Sequence, residues 1–246
     1  MSKYKHNETM HNLESPSEIV PEIIKILNPS SIVDFGCGIG TFLNVFKKAG
    51  VTNVLGLDGK WVNKELLYKY ISKKEFIEVD LEKPIKLENK FDLAISLEVA
   101  EHLSEASAKT FVSNLVSSSN RVVFSAAIPN QGGQNHINEQ PLSYWEGLFI
   151  EHGYELHDCL RPILWNNEKV FSWYKQNIVL FAPIGDLKFN TELISFPRDI
   201  VHPELLAIRA TDSYKINNPT IGLGIKLLLK SILGDKVINQ FRKQED

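Results

Sequence analysis

The sequence predicts a doubly wound α/β domain with a mainly parallel sheet and helices on both faces. Three observations carry this reading. Short apolar runs of strand character alternate with segments whose apolar residues recur at helical spacing. A glycine-rich loop, Gly36-Cys37-Gly38-Ile39-Gly40, lies between the first strand and the helix after it. The second and third strands run into an aspartate each, Asp58 and Asp80. Strand, helix, strand crossovers in one sheet are right-handed, which brings the carboxyl ends of the parallel strands to one edge.

The elements follow in order. Residues 1–15 form a polar leader, after which 17–27 carries Ile19, Val20, Ile23, Ile24 and Leu27 at helical spacing until Asn28-Pro29 stops it. Ser31–Phe35 reads as a buried strand, and 41–49 as a helix ended by Gly50. The pattern repeats with strand 53–57, helix 64–71, strands 75–79 and 91–96, helix 105–117 and strand 121–126. A helix over 142–152 ends before Gly153, and the apolar runs 154–160 and 177–181 suit an antiparallel hairpin at one sheet edge, with 161–176 as a long connection. Past Pro183 the alternation stops. Scattered Pro and Asn occupy 184–218, and helical periodicity returns over 222–242, so the plan is a leader (1–15), one α/β domain (16–183) and an extension (184–246).

Bulk properties narrow the class. With 43% hydrophobic and 23% charged residues in 246, the chain has ordinary globular composition and material for a sizeable core. A formal charge of -3 offers no general attraction to nucleic acid phosphates, so no nucleic acid partner is expected. Two cysteines, Cys37 and Cys159, are too few for a disulfide scaffold or a zinc site and fit a reducing compartment. The N-terminal stretch lacks the apolar core of a signal peptide, and no apolar run of about 18 residues occurs, which makes a cytoplasmic location the expectation.

A strand feeding straight into Gly36-x-Gly38-x-Gly40 and then a helix presents backbone amides to a ligand with no Cβ in the way. The spacing is not the dinucleotide pattern, which needs a third glycine three positions after the second, and no Gly-Lys-Ser/Thr ending marks a phosphate loop. Gly56-Leu57-Asp58-Gly59 ends the second strand about twenty residues past the loop, where a carboxylate accepts hydrogen bonds from ribose hydroxyls. Val79-Asp80-Leu81 ends the third, suited to an adenine amino group, and Asp34 lies where a cationic amino acid end would rest. Each feature has a plainer alternative, a tight turn for the glycines and a helix cap for the aspartates. Together they are far more specific than any one alone.

On these residues the chain resembles the class I S-adenosylmethionine-dependent methyltransferases. Val33-Asp34-Phe35-Gly36-Cys37-Gly38-Ile39-Gly40-Thr41 looks like the family's first motif, Gly56-Leu57-Asp58 its ribose motif, Val79-Asp80-Leu81 its adenine motif, and Phe91-Asp92-Leu93-Ala94-Ile95-Ser96-Leu97-Glu98-Val99 its fourth-strand motif. The resemblance implies a Rossmann-like domain with seven strands in the order 3-2-1-4-5-7-6, strand seven antiparallel. It also implies S-adenosylmethionine as cofactor, S-adenosylhomocysteine as product, and Leu97 and Glu98 along the amino acid end of the cofactor. Glu98-Val99-Ala100-Glu101-His102-Leu103 is common in the branch acting on small molecules, quinones and sugars, and no Asn-Pro-Pro-Tyr-like motif of nitrogen methylators is present. That points to an oxygen acceptor.

An alcohol acceptor needs a group to take its proton as attack proceeds. His136, in the amide-dense loop Pro129-Asn130-Gln131-Gly132-Gly133-Gln134-Asn135-His136-Ile137-Asn138-Glu139-Gln140, is the first candidate, with Glu139 to orient it. His102 is the second, its alternative being a helix-start residue that holds the loop. Asn135, Asn138 and Gln140 are expected to read acceptor hydroxyls, Trp165 to wall the acceptor pocket, and Arg161 to meet an anionic acceptor or form a surface ion pair. Glu98, Glu101, His102 and His136 show no compact ligand spacing, so no metal is expected. The loop, Ser143-Tyr144-Trp145 and Trp173-Tyr174-Lys175-Gln176-Asn177-Ile178 resemble methyltransferases of bacterial surface-polysaccharide assembly. This implies O-methylation of a sugar or glycan-linked intermediate. An amine or natural-product methyltransferase on the same fold and a non-catalytic cofactor-binding partner are the alternatives. The amphipathic stretch 222–242 suits docking on its own domain, a homodimer contact, or a peripheral position at the inner membrane face.

Overall fold

The structure, a computed structural model, describes residues 11–186 and 197–217. Helix α1 (Glu14–Leu27) leads into β1 (Ser31–Phe35), α2 (Thr41–Lys48), β2 (Asn53–Asp58), α3 (Lys64–Tyr70), β3 (Phe76–Glu78) and β4 (Leu93–Leu97). Then come α4 (Ala108–Ser118), β5 (Val122–Ser125), α5 (Leu142–Glu151), β6 (Tyr154–His157), α6 (Arg161–Leu164), α7 (Ser172–Asn177), β7 (Val179–Pro183) and α8 (Pro203–Asn217). The strands form one sheet in the order β3-β2-β1-β4-β5-β7-β6, the order implied by the family resemblance. β1 pairs in parallel with β2 and β4, and β7 runs antiparallel to both β5 and β6.

Each face of the sheet carries its own core. Alternation along a strand sends successive side chains to opposite faces. Thus Val123 joins Ile19, Ile23, Phe42 and Phe46 on the side of α1 and α2, while Val122 and Phe124 join Phe111, Leu115 and Phe149 on the side of α4 and α5. Phe149 stacks on Phe181 with ring centroids 3.8 Å apart, and Phe124 meets Trp145, Phe149 and Phe181 edge-on or tilted. Trp145 is therefore a core residue.

The predicted elements hold with small shifts at their ends and two larger differences. α1 starts at Glu14, where Asn12 Oδ1 accepts the Glu14 amide at 2.9 Å, so the polar leader contributes its own helix start. The connection 161–176 contains α6 and α7. It is laid against α1, with the Ser15 hydroxyl accepting the Phe171 amide at 3.0 Å and the Asn167 amide donating to Glu18 at 2.9 Å.

The chain divides into two compact units, Met1–His202 and Pro203–Asp246. The first runs past Pro183 because 197–202 is fastened to it: Ser143 donates to Asp199 at 2.8 Å, and Gln176 bonds the Ile200 carbonyl and the His202 amide. In the second unit α8 begins on Pro203, where a missing amide costs nothing, and has Glu204 in its first turn. Its apolar residues form no single stripe, which is why periodicity passed it over. The stretch 222–242 lies outside the described residues. Among the described residues no helix is long and apolar enough to cross a membrane.

Candidate active site

The carboxyl edge of the sheet gathers the predicted loop and two of its acids. Gly36, Gly38 and Gly40 have φ of 87, 54 and 82°, a region that L side chains seldom enter. Gly36 is doubly constrained, since a Cβ there would meet Val99 Cγ2 at 2.4 Å. The turn is pinned by the Gly36 and Cys37 amides, which donate to the Leu57 carbonyl at 2.7 and 3.1 Å. Asp58 pins it again, accepting from the Gly38 amide at 2.8 Å and the Gly59 amide at 2.6 Å. Cys37 packs its sulfur over Gly56, where a Cβ would meet Sγ at 2.7 Å, and burial pushes the thiol up, so it serves packing rather than nucleophilic chemistry.

Asp34 and Asp58 are 4% and 5% exposed. Burial, with the charge of Asp58 added, holds Asp34 well above the usual carboxylate range. Burial raises Asp58 to about 6 against the pull of the Gly38 and Gly59 amides and the Trp61 side chain. Two buried acids, with no basic partner among the described residues, beside a turn whose glycines let a ligand approach closely, suit a ligand that brings both positive charge and hydroxyl donors, and S-adenosylmethionine brings both. Asp80 lies differently. It is exposed and its Oδ1 accepts the Glu82 amide at 3.1 Å, the turn-capping alternative. Leu81 and Leu97 are 2% and 8% exposed within the cores.

After β4 the chain turns sharply through Glu98, a non-glycine residue at φ 56°, into a 3-10 turn, Ala100–His102. The Glu98 carboxylate accepts from Gln131 Nε2 at 2.8 Å and Asn177 Nδ2 at 3.0 Å, and Asn177 also donates to Gln131 at 2.9 Å. One carboxylate thereby ties the end of β4 to the loop after β5 and to α7. Glu101 is fully buried, with neither carboxylate oxygen hydrogen-bonded. Burial, then the Glu98 charge, raises it well above the usual range, and burial raises Glu98 as well.

The loop after β5 closes on this turn. The Ile137 and Asn138 amides donate to the Glu101 carbonyl at 2.9 and 3.0 Å. Glu139 accepts the Asn130 amide at 2.8 Å and the Gly132 amide at 2.5 Å, and lies 2.8 Å from His136 Nδ1. With Glu139 already an acceptor, His136 Nδ1 is the donor, and the lone pair sits on Nε2, 4.0 Å from Glu101 Oε1. A Cβ on Gly133 would lie 2.2 Å from that Nε2, so the loop's glycine makes room for the ring. His102 packs edge-on to His136 at 4.9 Å, and its Nδ1 is 3.4 Å from the Asn135 carbonyl. Burial and the His136 charge lower His102 to about 4, leaving a neutral imidazole near pH 7.

The acceptor-side expectations divide. His136, His102 and Glu139 come together as read from the loop. Asn135, at φ 61°, contributes its carbonyl. Asn138 is 4% exposed, and its Oδ1 accepts from Gln140 Nε2 at 3.0 Å, so these two amides engage each other. Arg161 requires correction. It is 0% exposed, and its guanidinium forms a bidentate pair with Asp158 at 2.9 and 2.5 Å while donating to the Arg198 and Pro197 carbonyls, so its charge is neutralised inside the fold. Trp165 packs on His202 with ring centroids 4.4 Å apart, at the fastening of 197–202. Gln131 and Asn177 lie outside the site residues the sequence points to, and Glu101 enters there only among the metal ligands set aside for lack of compact spacing. The three-residue step from Glu98 to Glu101 on a helical turn was the one available signal for Glu101.

A family model for a methyltransferase domain matches residues 10–158. Among solved structures, DesVI of Streptomyces venezuelae is 13% identical with a TM-score of 0.54, over 73% of this chain and 100% of that one. A Nostoc punctiforme protein provisionally named an O-methyltransferase is 13% identical at TM-score 0.53 over 71% of this chain, which spans 58% of its length. Magnesium protoporphyrin IX methyltransferase of Synechocystis, solved with bound S-adenosylhomocysteine, is 14% identical at TM-score 0.50, over 73% and 89%. At these identities the likeness is one of fold. Among curated proteins nothing matches.

Proposed function

We propose that this chain, which belongs to the methyltransferase-domain family and is an S-adenosylmethionine-dependent methyltransferase, acts on a hydroxyl of a sugar or glycan-linked intermediate of surface polysaccharide assembly. The observation that carries the oxygen assignment is the Glu139–His136 pair, whose Nε2 lone pair faces the inside of the fold beside Glu101. A nitrogen acceptor attacks through its own lone pair, whereas an alcohol, far above pH 7 in acidity, needs a proton acceptor at hand.

The cofactor supplies an electrophilic methyl group on a sulfonium. The chain's own residues then have three tasks. The glycine turn, bare of Cβ atoms, and Asp58 hold the nucleoside, with Asp58 accepting from the ribose hydroxyls; Asp34 faces the cationic amino acid end. Glu98, held by Gln131 and Asn177, keeps the end of β4 in register with the acceptor loop. His136 takes the hydroxyl proton at Nε2 while Glu139 keeps its Nδ1–H in place. In the same loop Asn138 Nδ2 is buried without a hydrogen-bond partner, a donor left for an acceptor oxygen, which supports a hydroxylated acceptor.

Purified full-length protein, mixed with methyl-labelled cofactor and a panel of nucleotide sugars, oligosaccharides and amines, is expected to label a sugar oxygen. Label found on nitrogen alone would refute the oxygen reading, and label on non-sugar alcohols alone would refute the glycan reading.

A further inference from the structure

We propose that Glu101, His102 and His136 form a binding site for one divalent first-row transition-metal cation. One ligand atom from each of the three converges within 4.8 Å, and they come from two segments 34 residues apart in sequence. Spacing along the chain therefore conceals the site.

Four features distinguish the cluster from a chance meeting of polar side chains. Glu101 is 0% exposed, and neither oxygen has a hydrogen bond. Among the described residues its one ion-pair neighbour is His136 at 4.0 Å, while Glu98 adds like charge beside it. A carboxyl group so buried is ionised only beside a cation, and among the described residues no lysine or arginine is paired with it. Both imidazoles are aimed through Nδ1, His136 at Glu139 (2.8 Å) and His102 at the Asn135 carbonyl (3.4 Å). Anchoring one ring nitrogen on a carboxylate or carbonyl is how proteins direct the other at a metal. The two segments are also locked together, since the Ile137 and Asn138 amides bond the Glu101 carbonyl. A donor set of two imidazole nitrogens and a carboxylate oxygen suits manganese, iron, cobalt, nickel or zinc better than calcium or magnesium.

The role of the cation rests on the reading of this corner as the acceptor site. With a cation seated, the His136 lone pair is a ligand and no longer the base, and the acceptor hydroxyl, coordinated to the cation, gives its proton to solvent water instead; the base role of His136 belongs to the metal-free protein. The oxygen forms its bond to the methyl carbon as the carbon–sulfur bond breaks, its electron pair staying on the neutral thioether.

The test uses chelator-stripped full-length protein titrated with Co(II), followed by its visible absorption, and with Mn(II) and Zn(II) by calorimetry. S-adenosylhomocysteine binding is measured on the same samples as an independent report of folding and of the methyltransferase assignment. One equivalent of metal per chain is expected. The double variant His102→Ala/His136→Ala should lose at least ~100-fold in metal affinity, and the outer variant Glu139→Gln ~10- to 100-fold, with S-adenosylhomocysteine affinity kept. Absence of saturable binding to the wild type, or equal affinity in the double variant that still binds S-adenosylhomocysteine, overturns the site. Specific metal binding without any transfer to a hydroxyl leaves the site standing and refutes the acceptor reading instead.

Discussion

Asp58→Asn should make the unliganded protein more stable at pH 8 while weakening its grip on the cofactor. Asp58 is 5% exposed and its carboxyl is raised by burial from 3.8 to about 6. A group whose folded value lies above its unfolded one contributes stability that is complete below about pH 4 and lost as pH rises through about 6. At about 1.4 kcal/mol per unit, the ionised form at pH 8 costs the fold on the order of 3 kcal/mol relative to the neutral one. Asparagine removes that cost at constant shape. It also loses one of the two amide bonds, Gly38 at 2.8 Å or Gly59 at 2.6 Å, because its Nδ2 cannot accept; that removes about 1–2 kcal/mol. The expected net gain is about 1–2 kcal/mol, or roughly 2–8 °C in Tm for a chain of this size. Near pH 5, where the wild-type group is already largely neutral, the gain should vanish or change sign. Loss of one charge-assisted bond to the ribose should weaken S-adenosylhomocysteine by roughly 10- to 100-fold. Calorimetric unfolding at pH 5 and pH 8, with and without ligand, reads all of these. A variant less stable than wild type at pH 8 without ligand, or one with unchanged affinity, would refute the reasoning.

Gly36→Ala places a methyl 2.4 Å from Val99 Cγ2 at φ 87°, so at least ~2 kcal/mol of stability should go together with cofactor binding; an unshifted Tm would show the turn to be pliable. His136→Ala should slow transfer to a hydroxyl by ~10²- to 10⁴-fold with S-adenosylhomocysteine affinity nearly kept, and a loss of affinity instead would move His136 to the cofactor side. Arg161→Ala strands Asp158 as an uncompensated buried charge, costing about 3–5 kcal/mol in denaturant unfolding; a variant of full stability with a raised acceptor KM would restore Arg161 to the acceptor site.

The sequence by itself determined the order of elements, the turn between β1 and α2, and the identity of Asp34 and Asp58, because those signals are local. A glycine at positive φ and an apolar run of strand length are properties of a few adjacent residues. The antiparallel hairpin could be read for the same reason, while the order of its strands in the sheet came from family resemblance. Tertiary structure alone decided what distant segments do to each other. Arg161 reads as a surface cation until Asp158 and the 197–202 strap enclose it, and Trp165 reads as a pocket wall until His202 packs on it. α7 stays hidden in the sequence because its residues gain their burial from α6 and β5, not from their own periodicity. Glu101 is one more acid on a short turn in the sequence. It becomes a buried, unsatisfied carboxylate facing two imidazoles only when the loop after β5 folds down on the end of β4, since burial and convergence are properties of packing and have no period along the chain.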